Sequence, residues 1–318
     1  MIEVENLTKF YGPRPAIKGI TFQVNKGEVV GFLGPNGAGK STTMNILCCI
    51  LPASSGSATV CGYDVFEESL ELRKKIGYLP ETPPLYPDMT VTSYLKFAAE
   101  IRGVPSNKVS AAVDRVLEKC ALKEVRQRII DRLSKGFQQR VGLAQSMIHD
   151  PEILILDEPT IGLDPIQIIE IRKLIQELAS SHTIILSSHI LPEITQICKR
   201  VIILNEGEIA AVDSLEGLKS SLNKSERFIL KVRNSQNNIQ DKLGALDKVI
   251  SVKVERDNEF LIECEMDSQA QDQVARMALE KSWGIEELKL VSMTLEEIFL
   301  QLTLEENDSS EVKNGAGV

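Results

Sequence analysis

The sequence predicts an α/β protein: a doubly wound sheet core followed by a smaller α+β domain. Two observations carry that expectation. Up to about Val212, short β-branched apolar runs alternate with amphipathic stretches, so period 2 and period 3.6 exchange along the chain. After Gly217 the order becomes β-α-β-β-α-β, which is that of a split βαβ, ferredoxin-like unit. The expected domains are therefore 1–216 and 217–303, with a small, polar tail over 304–318 that is expected to be disordered.

Taken in order, Glu28–Leu33 (EVVGFL) reads as a strand buried on both faces. It ends in a glycine-rich turn, and a helix follows through Met44, Ile46 and Leu47. Helical patterns cover Thr92–Arg102 and Val109–Leu122, and another follows Ser134 through Val141, Leu143, Ala144 and Met147. Pro151–Asp157 (PEILILD), His182–Ser187 (HTIILS) and Arg200–Asn205 (RVIILN) are further buried strands, separated by helices at Ile166–Ser180 and Leu191–Ile197. In the second domain, Glu226–Arg233 alternates as a strand and Ile239–Leu246 is helical. Lys248–Glu255 and Glu259–Glu265 form a hairpin around Arg256-Asp257-Asn258. A helix at Gln269–Lys281, a strand at Ile285–Val291 and a last amphipathic helix at Leu295–Leu302 complete it.

Composition narrows the function. The chain has 318 residues, 43% hydrophobic and 25% charged, enough for a sizeable core. Net charge is −9, and most of the acidic excess lies after residue 218, which argues against nucleic acid as a partner at that end. The six cysteines show no paired metal spacing and read as reduced core thiols. The opening MIEVENLTKF has no apolar h-region, so no signal peptide is expected. No window approaches the length of an apolar bilayer span, and a cytoplasmic setting is expected.

The chemistry concentrates in three places. Gly34, Pro35, Asn36, Gly37, Ala38, Gly39, Lys40 and Ser41 spell a phosphate-binding loop between a buried strand and a helix. Its glycines let backbone N–H groups turn onto phosphates, Lys40 reaches the β- and γ-phosphates, and Ser41 offers a hydroxyl to Mg²⁺. ILILDEPT places Asp157 at a strand end as a partner for Mg²⁺, with Glu158 beside it to polarise an attacking water. Alone, an acidic pair before a proline serves equally well as a turn cap. LSKGFQQR puts Ser134 at a helix N-terminus, a second anion-binding start in a chain that already has one.

These three motifs together resemble those of the nucleotide-binding subunit of an ATP-binding cassette (ABC) transporter, over about residues 1–215. The resemblance implies a P-loop NTPase cassette with a parallel or mixed sheet core, an antiparallel N-terminal β-subdomain and a helical signature subdomain. It implies that Tyr11 stacks on adenine and that Thr42 joins the loop in holding nucleotide, although a single tyrosine more often only packs. YLPETPPLYPDMTV corresponds to the family's Q-loop, which senses nucleotide and touches the membrane partner, with Glu81 as a Mg²⁺ ligand where glutamine is usual. IGLD at Ile161–Asp164 resembles the D-loop, and His189 in LSSHI takes the place of the switch histidine, a residue type that after a strand is usually structural. LSKGFQQR corresponds to the signature LSGGQQQR, implying that Ser134, Lys135 and Gly136 bind the γ-phosphate of ATP held by a second subunit. Lys135 and Phe137 depart from that pattern.

The resemblance further implies an ATP hydrolase that uses Mg²⁺ and works as a dimer, closed by ATP and opened by hydrolysis. The partners it implies are a second ATPase subunit, in a homodimer, and a separate transmembrane permease. The subunit would lie on the inner face of the cell membrane. TLEEIFLQLT at the end of the second domain resembles ATPases paired with exporters. The alternative is a soluble ABC ATPase of the assembly, repair or translation kind. A single phosphate loop, the absence of heptad runs and the additional domain argue against it. The second domain has no histidine and one cysteine, so a modulating or dimerising role is expected there. Segment 79–91, stiffened by Pro80, Pro83, Pro84 and Pro87 and with Leu85 and Tyr86 expected on its surface, is the expected docking point for the permease.

Overall fold

The computed structural model describes residues 1–221, 225–234, 238–266, 269–291 and 296–300. The chain divides into two compact units, Met1–Ser214 and Leu215–Val318. In the first, β1 (Ile2–Tyr11) and β2 (Arg14–Val24) pair antiparallel. Then β3 (Val29–Leu33) delivers the chain to α1 (Lys40–Leu47). With β4 (Ser55–Val60) and β5 (Tyr63–Asp64), the first strands make an antiparallel sheet in the order β2-β1-β4-β5. This is the N-terminal β-subdomain that the family resemblance implied, and none of its strands stood out in the periodicity.

The chain continues through α2 (Ser69–Leu72), β6 (Ile76–Leu79), α3 (Val91–Ile101), α4 (Ser106–Lys119) and α5 (Lys135–Met147). Next come β7 (Ile153–Leu156), α6 (Pro165–Leu178), β8 (Thr183–Ser188), α7 (Leu191–Ile197), β9 (Arg200–Asn205) and β10 (Glu208–Ser214). The second sheet runs β10-β9-β3-β8-β7-β6. Its pairs are parallel except for the antiparallel β10 edge, so it is a mixed sheet. Strands β7 and β8 are buried at every residue, as the unbroken apolar runs require of strands covered on both faces.

One apolar core joins the two sheets. Ile2, Val4 and Phe22 of the antiparallel sheet meet Phe32, Ile155 and Ile202 of the mixed sheet, with Met44 and Leu47 of α1 between them. The rings of Phe22 and Phe32 pack edge to face, 5.1 Å between centroids. Glycines admit two helices to the sheet. A Cβ on Gly31 would stand 2.4 Å from Cγ2 of Ile194, so this glycine lets α7 lie on β3. A Cβ on Gly77 would stand 2.1 Å from the Ser146 carbonyl, so α5 closes on β6 in the same way.

The second unit begins with α8 (Leu215–Ser221), followed by β11 (Ser225–Val232), α9 (Ile239–Gly244), β12 (Val249–Arg256), β13 (Glu259–Glu265), α10 (Ala270–Glu280) and β14 (Ile285–Leu290). The strand order β12-β13-β11-β14, antiparallel throughout, is the ferredoxin-like arrangement. Phe228, Leu230, Ile262, Val274 and Trp283 form its core. The β12–β13 turn is closed by Asn258 at φ 67°, a conformation that asparagine tolerates. Of the last expected helix, Glu296–Leu300 is helical with Ile298 buried. Leu295, the end of that helix and the tail 304–318 lie outside the described residues.

Among the described residues no helix is long and apolar enough to cross a membrane. All six cysteines are free. Cys48, Cys120, Cys198 and Cys264 are core thiols, as expected, whereas Cys49 and Cys61 are only half-buried, because each lies in a tight left-handed turn at the edge of its element.

Candidate functional site

The phosphate loop is built as its spelling requires. A Cβ on Gly34 would stand 2.3 Å from the Leu204 carbonyl, and one on Gly39 2.7 Å from the Ala16 carbonyl. Gly37 and Gly39 also have φ of 84° and 103°, which side-chain-bearing residues rarely adopt. The turn is pinned from below: Ala38 N–H donates to the Pro35 carbonyl at 3.2 Å, and the Ala38 carbonyl accepts from Gly207 N–H at 3.2 Å. Gly39 then caps α1, whose first turn carries Lys40, Ser41 and Thr42. Lys40 is buried, its ammonium donating to the Gly34 carbonyl at 2.7 Å and the Pro35 carbonyl at 3.1 Å. A cavity of about 450 Å³ opens over the loop, lined by Asn36, Gly37, Gly39, Lys40, Ser41, Thr42, Glu81, Glu158, Ile161 and His189.

The chain after β7 and after β8 brings Glu158 and His189 to that cavity. Glu158 Oε2 lies 2.9 Å from Nδ1 of His189, and its Oε1 lies 3.8 Å from the Lys40 ammonium. A carboxylate only accepts, so Nδ1 of the imidazole is the donor. Burial pushes the Glu158 carboxyl above its ordinary value, while the His189 hydrogen bond and the charges of His189 and Lys40 pull it down. Burial likewise pulls the Lys40 ammonium below its ordinary value, against Glu158, Asp157 and Glu81. At 3.8 Å the pair is a charge contact without a hydrogen bond, and burial outweighs it in both partners. Asp157, buried at the end of β7, accepts from Ser187 Oγ at 2.6 Å, and the same oxygen accepts from the Glu158 N–H at 2.8 Å. Asp157 shares a second cavity with Ser41 and Glu81, so the three candidate metal ligands face one space.

The other candidates lie elsewhere in the chain. Ser134 caps α5, its Oγ accepting from Phe137 N–H at 3.4 Å. Neither it nor Lys135 nor Gly136 lines the phosphate-loop cavity. The Lys135 ammonium lies against Gly162 of the IGLD segment, 3.3 Å from where a Cβ there would sit, and a Cβ on Gly136 would stand 2.6 Å from the Gln167 amide. The start of α5 therefore abuts the start of α6 within one chain. Phe137, which departs from the motif, packs its ring 5.9 Å from the Arg140 guanidinium. Tyr11 ends β1 half-exposed, with the Lys9 ammonium 5.6 Å from its ring centroid.

Leu85 is half-buried and not surface-exposed as expected, because the proline-rich segment folds back on its own subdomain. A Cβ on Gly142 would stand 2.7 Å from Pro83, and Tyr94 Oη donates to the Pro84 carbonyl at 3.1 Å. Tyr86 stays half-exposed beside Tyr94 and Phe97. Sequence reasoning missed Ser187, Ser188, Thr160 and Glu193, all buried polar residues hydrogen-bonded around the acidic pair. The signal was present in LSSHI, two hydroxyls at the end of an otherwise apolar strand.

An ABC cassette is the class that this fold and loop define. The ABC transporter family matches residues 17–161 of the chain. A bacitracin transport ATP-binding protein of Bacillus licheniformis is 38% identical over 236 residues, 74% of this chain and 76% of that protein. An uncharacterized ABC transporter ATP-binding protein of Bacillus subtilis is 32% identical over 306 residues, 95% of this chain and 96% of its own length. Among solved structures, an ATP-binding cassette described as a dimer in a post-hydrolysis state, bound to ADP and Pi, superposes with a TM-score of 0.62 at 25% identity. It covers 68% of this chain and 99% of that one. The chain belongs to the ABC transporter ATP-binding proteins. It is an ATP hydrolase of that family, and the family match lies within its first unit.

Proposed function

We propose that this chain powers export through a separate transmembrane permease, as a homodimer that holds ATP between its two copies. The observation that carries the reading is the Glu158 carboxylate, set between Lys40 and His189 over the phosphate loop. Loop amides and Lys40 hold the β- and γ-phosphates, leaving the terminal phosphorus facing Glu158. Glu158 accepts a proton from the attacking water, a task suited to a carboxyl whose affinity for protons burial has raised. His189, fixed by its Nδ1 bond to Glu158, presents Nε2 to the transferring phosphoryl group.

The residues that would hold Mg²⁺ are Ser41, Glu81 and Asp157, a hydroxyl and two carboxylates, which are the hard oxygen donors this ion prefers. Bound there, the ion supplies charge neutralisation for the β- and γ-phosphates.

A second copy is supported by two features. The capped start of α5 offers an anion-binding helix end that its own phosphate loop does not use. Ile161, Ile166, Ile169 and Ile190 also expose large apolar side chains along the IGLD segment, α6 and the His189 turn. Ser134, Lys135 and Gly136 would then meet the nucleotide of the other copy, and Tyr11 the adenine held by its own chain. Permease docking over segment 79–91 rests on Tyr86, whose half-exposed ring has aromatic support beneath it. The export direction rests on the second unit and its TLEEIFLQLT ending.

Glu158→Gln tests the reading. The variant should bind ATP, hydrolyse it at least about a hundredfold more slowly, and accumulate as an ATP-bound dimer in gel filtration. Near-normal turnover would remove Glu158 from the role of base.

A further inference from the structure

Glu193 is a buried carboxylate, 6% exposed, in the first turn of α7. Its Oε2 accepts two hydrogen bonds, from Thr160 Oγ1 at 2.5 Å and from Ser188 Oγ at 3.1 Å. Thr160 lies two residues after Glu158, and Ser188 immediately precedes His189. The Ser188 oxygen in turn accepts the Ile190 N–H at 3.0 Å, so the turn carrying His189 is tied on both sides of the histidine. The Glu158 turn is tied on both sides as well, before it by Ser187 and after it by Thr160 on Glu193.

Such fastening has a physical reason. Glu158 has φ 47°, a backbone conformation that a residue with a side chain keeps only where its surroundings enforce it. A buried carboxylate is itself unfavourable unless hydrogen-bonded, and an apolar residue of the same size would fill the space without that cost. Two hydroxyl donors meet the requirement, and both come from the two turns that bear the reacting side chains. The helix beneath is fixed in turn, since α7 rests on β3 through the close approach of Ile194 to Gly31.

We propose that Glu193 is a positioning residue. It clamps the Glu158 and His189 turns to one rigid base, so that the two side chains meet at 2.9 Å in the orientation hydrolysis needs. This rests on the reading of Glu158 as the general base.

The experiment measures kcat and KM for ATP on the full-length protein, with thermal melting of every variant. Glu193→Ala and Thr160→Val should each lower kcat about tenfold or more while KM stays within about twofold, because misplacing a base slows chemistry without loosening the phosphates. Thr160→Ser, which keeps the hydroxyl, should retain wild-type turnover. The double variant Glu193→Ala/Thr160→Val should lose no more than the worse single one, since both changes cut one link. Thr160→Val against Thr160→Ser carries the test by itself if Glu193→Ala does not fold. Unchanged kcat in Thr160→Val, equal loss in Thr160→Ser, a rise in KM alone, or multiplying losses in the double variant would each overturn the clamp. Glu158→Gln is measured alongside. If it is inactive while Thr160→Val is normal, the clamp alone fails; if it turns over normally, the general-base reading fails and takes the clamp with it.

Discussion

Glu158 combines a strained backbone with a carboxyl that burial pushes above its ordinary value. The base acts in its ionised form, so turnover should fall as pH drops through that raised value. The acid limb of the kcat/KM profile, which reports the free protein, should therefore stand at higher pH than an exposed glutamate would give. For stability the sign is opposite: the folded state binds this proton more tightly than the unfolded chain. The contribution is present below the unfolded value and is lost as pH rises through the folded one. Measuring kcat/KM from about pH 4 to 8 checks the activity limb. A limb at or below the range of an exposed glutamate would contradict the assignment. Gly34–Ser41, Asp157, Glu158 and His189 could be picked out in the sequence because each sits at a strand end with a local pattern around it. Ser187 and Ser188 left a signal in LSSHI, but the tie between Thr160 and Glu193 left none, because the two lie 33 residues apart and meet only where α7 packs beside the end of β7.

Helix α6 is the element most clearly specified by its own residues. Asp164 caps it, its Oδ1 accepting from the N–H groups of Ile166 and Gln167 at 3.0 Å each, and Pro165 occupies the first turn, where no donor is needed. Asp164→Ala should cost about 1 kcal/mol, read as a lower midpoint with unchanged slope in urea unfolding of the cassette. An unchanged midpoint would show that the cap is redundant. The same helix exposes Ile166 and Ile169 while burying Ile171, Leu174, Ile175 and Leu178, so its apolar stripe is wider than one core needs. By contrast, β6 and β10 were not legible as strands. Four residues containing Gly77 give β6 too short an alternation, and β10 is an edge strand with no fully buried residue.

The molecule consists of two units, each with its own core: Phe22, Phe32, Met44 and their neighbours in one, Phe228, Ile262 and Trp283 in the other. A chain ending at Ser214 should therefore fold and bind nucleotide, because every residue around the phosphate loop lies before that point. A fluorescent-nucleotide titration should give a Kd within about threefold of the full-length value, with dimer affinity or turnover rate the quantity that changes. A folded Met1–Ser214 piece without nucleotide affinity would show that the second unit contributes to binding.

The sequence by itself determined the alternation of buried strands and amphipathic helices, the glycine turns and the ferredoxin-like order of the second unit. These follow from side-chain period and from backbone angles that few residues adopt, both local properties. It also marked a phosphate loop and the residues expected to bear the chemistry, because such a loop needs its glycines and its lysine at fixed spacing. Only the tertiary structure decided that Lys40, Glu158 and His189 share one cavity, that segment 80–85 folds back onto Gly142, and that Glu193 ties the Glu158 and His189 turns to one helix. Those are contacts between distant parts of the chain. They are fixed by which faces the parallel sheet buries and how closely a glycine lets the next helix approach, and no single stretch of residues carries that information.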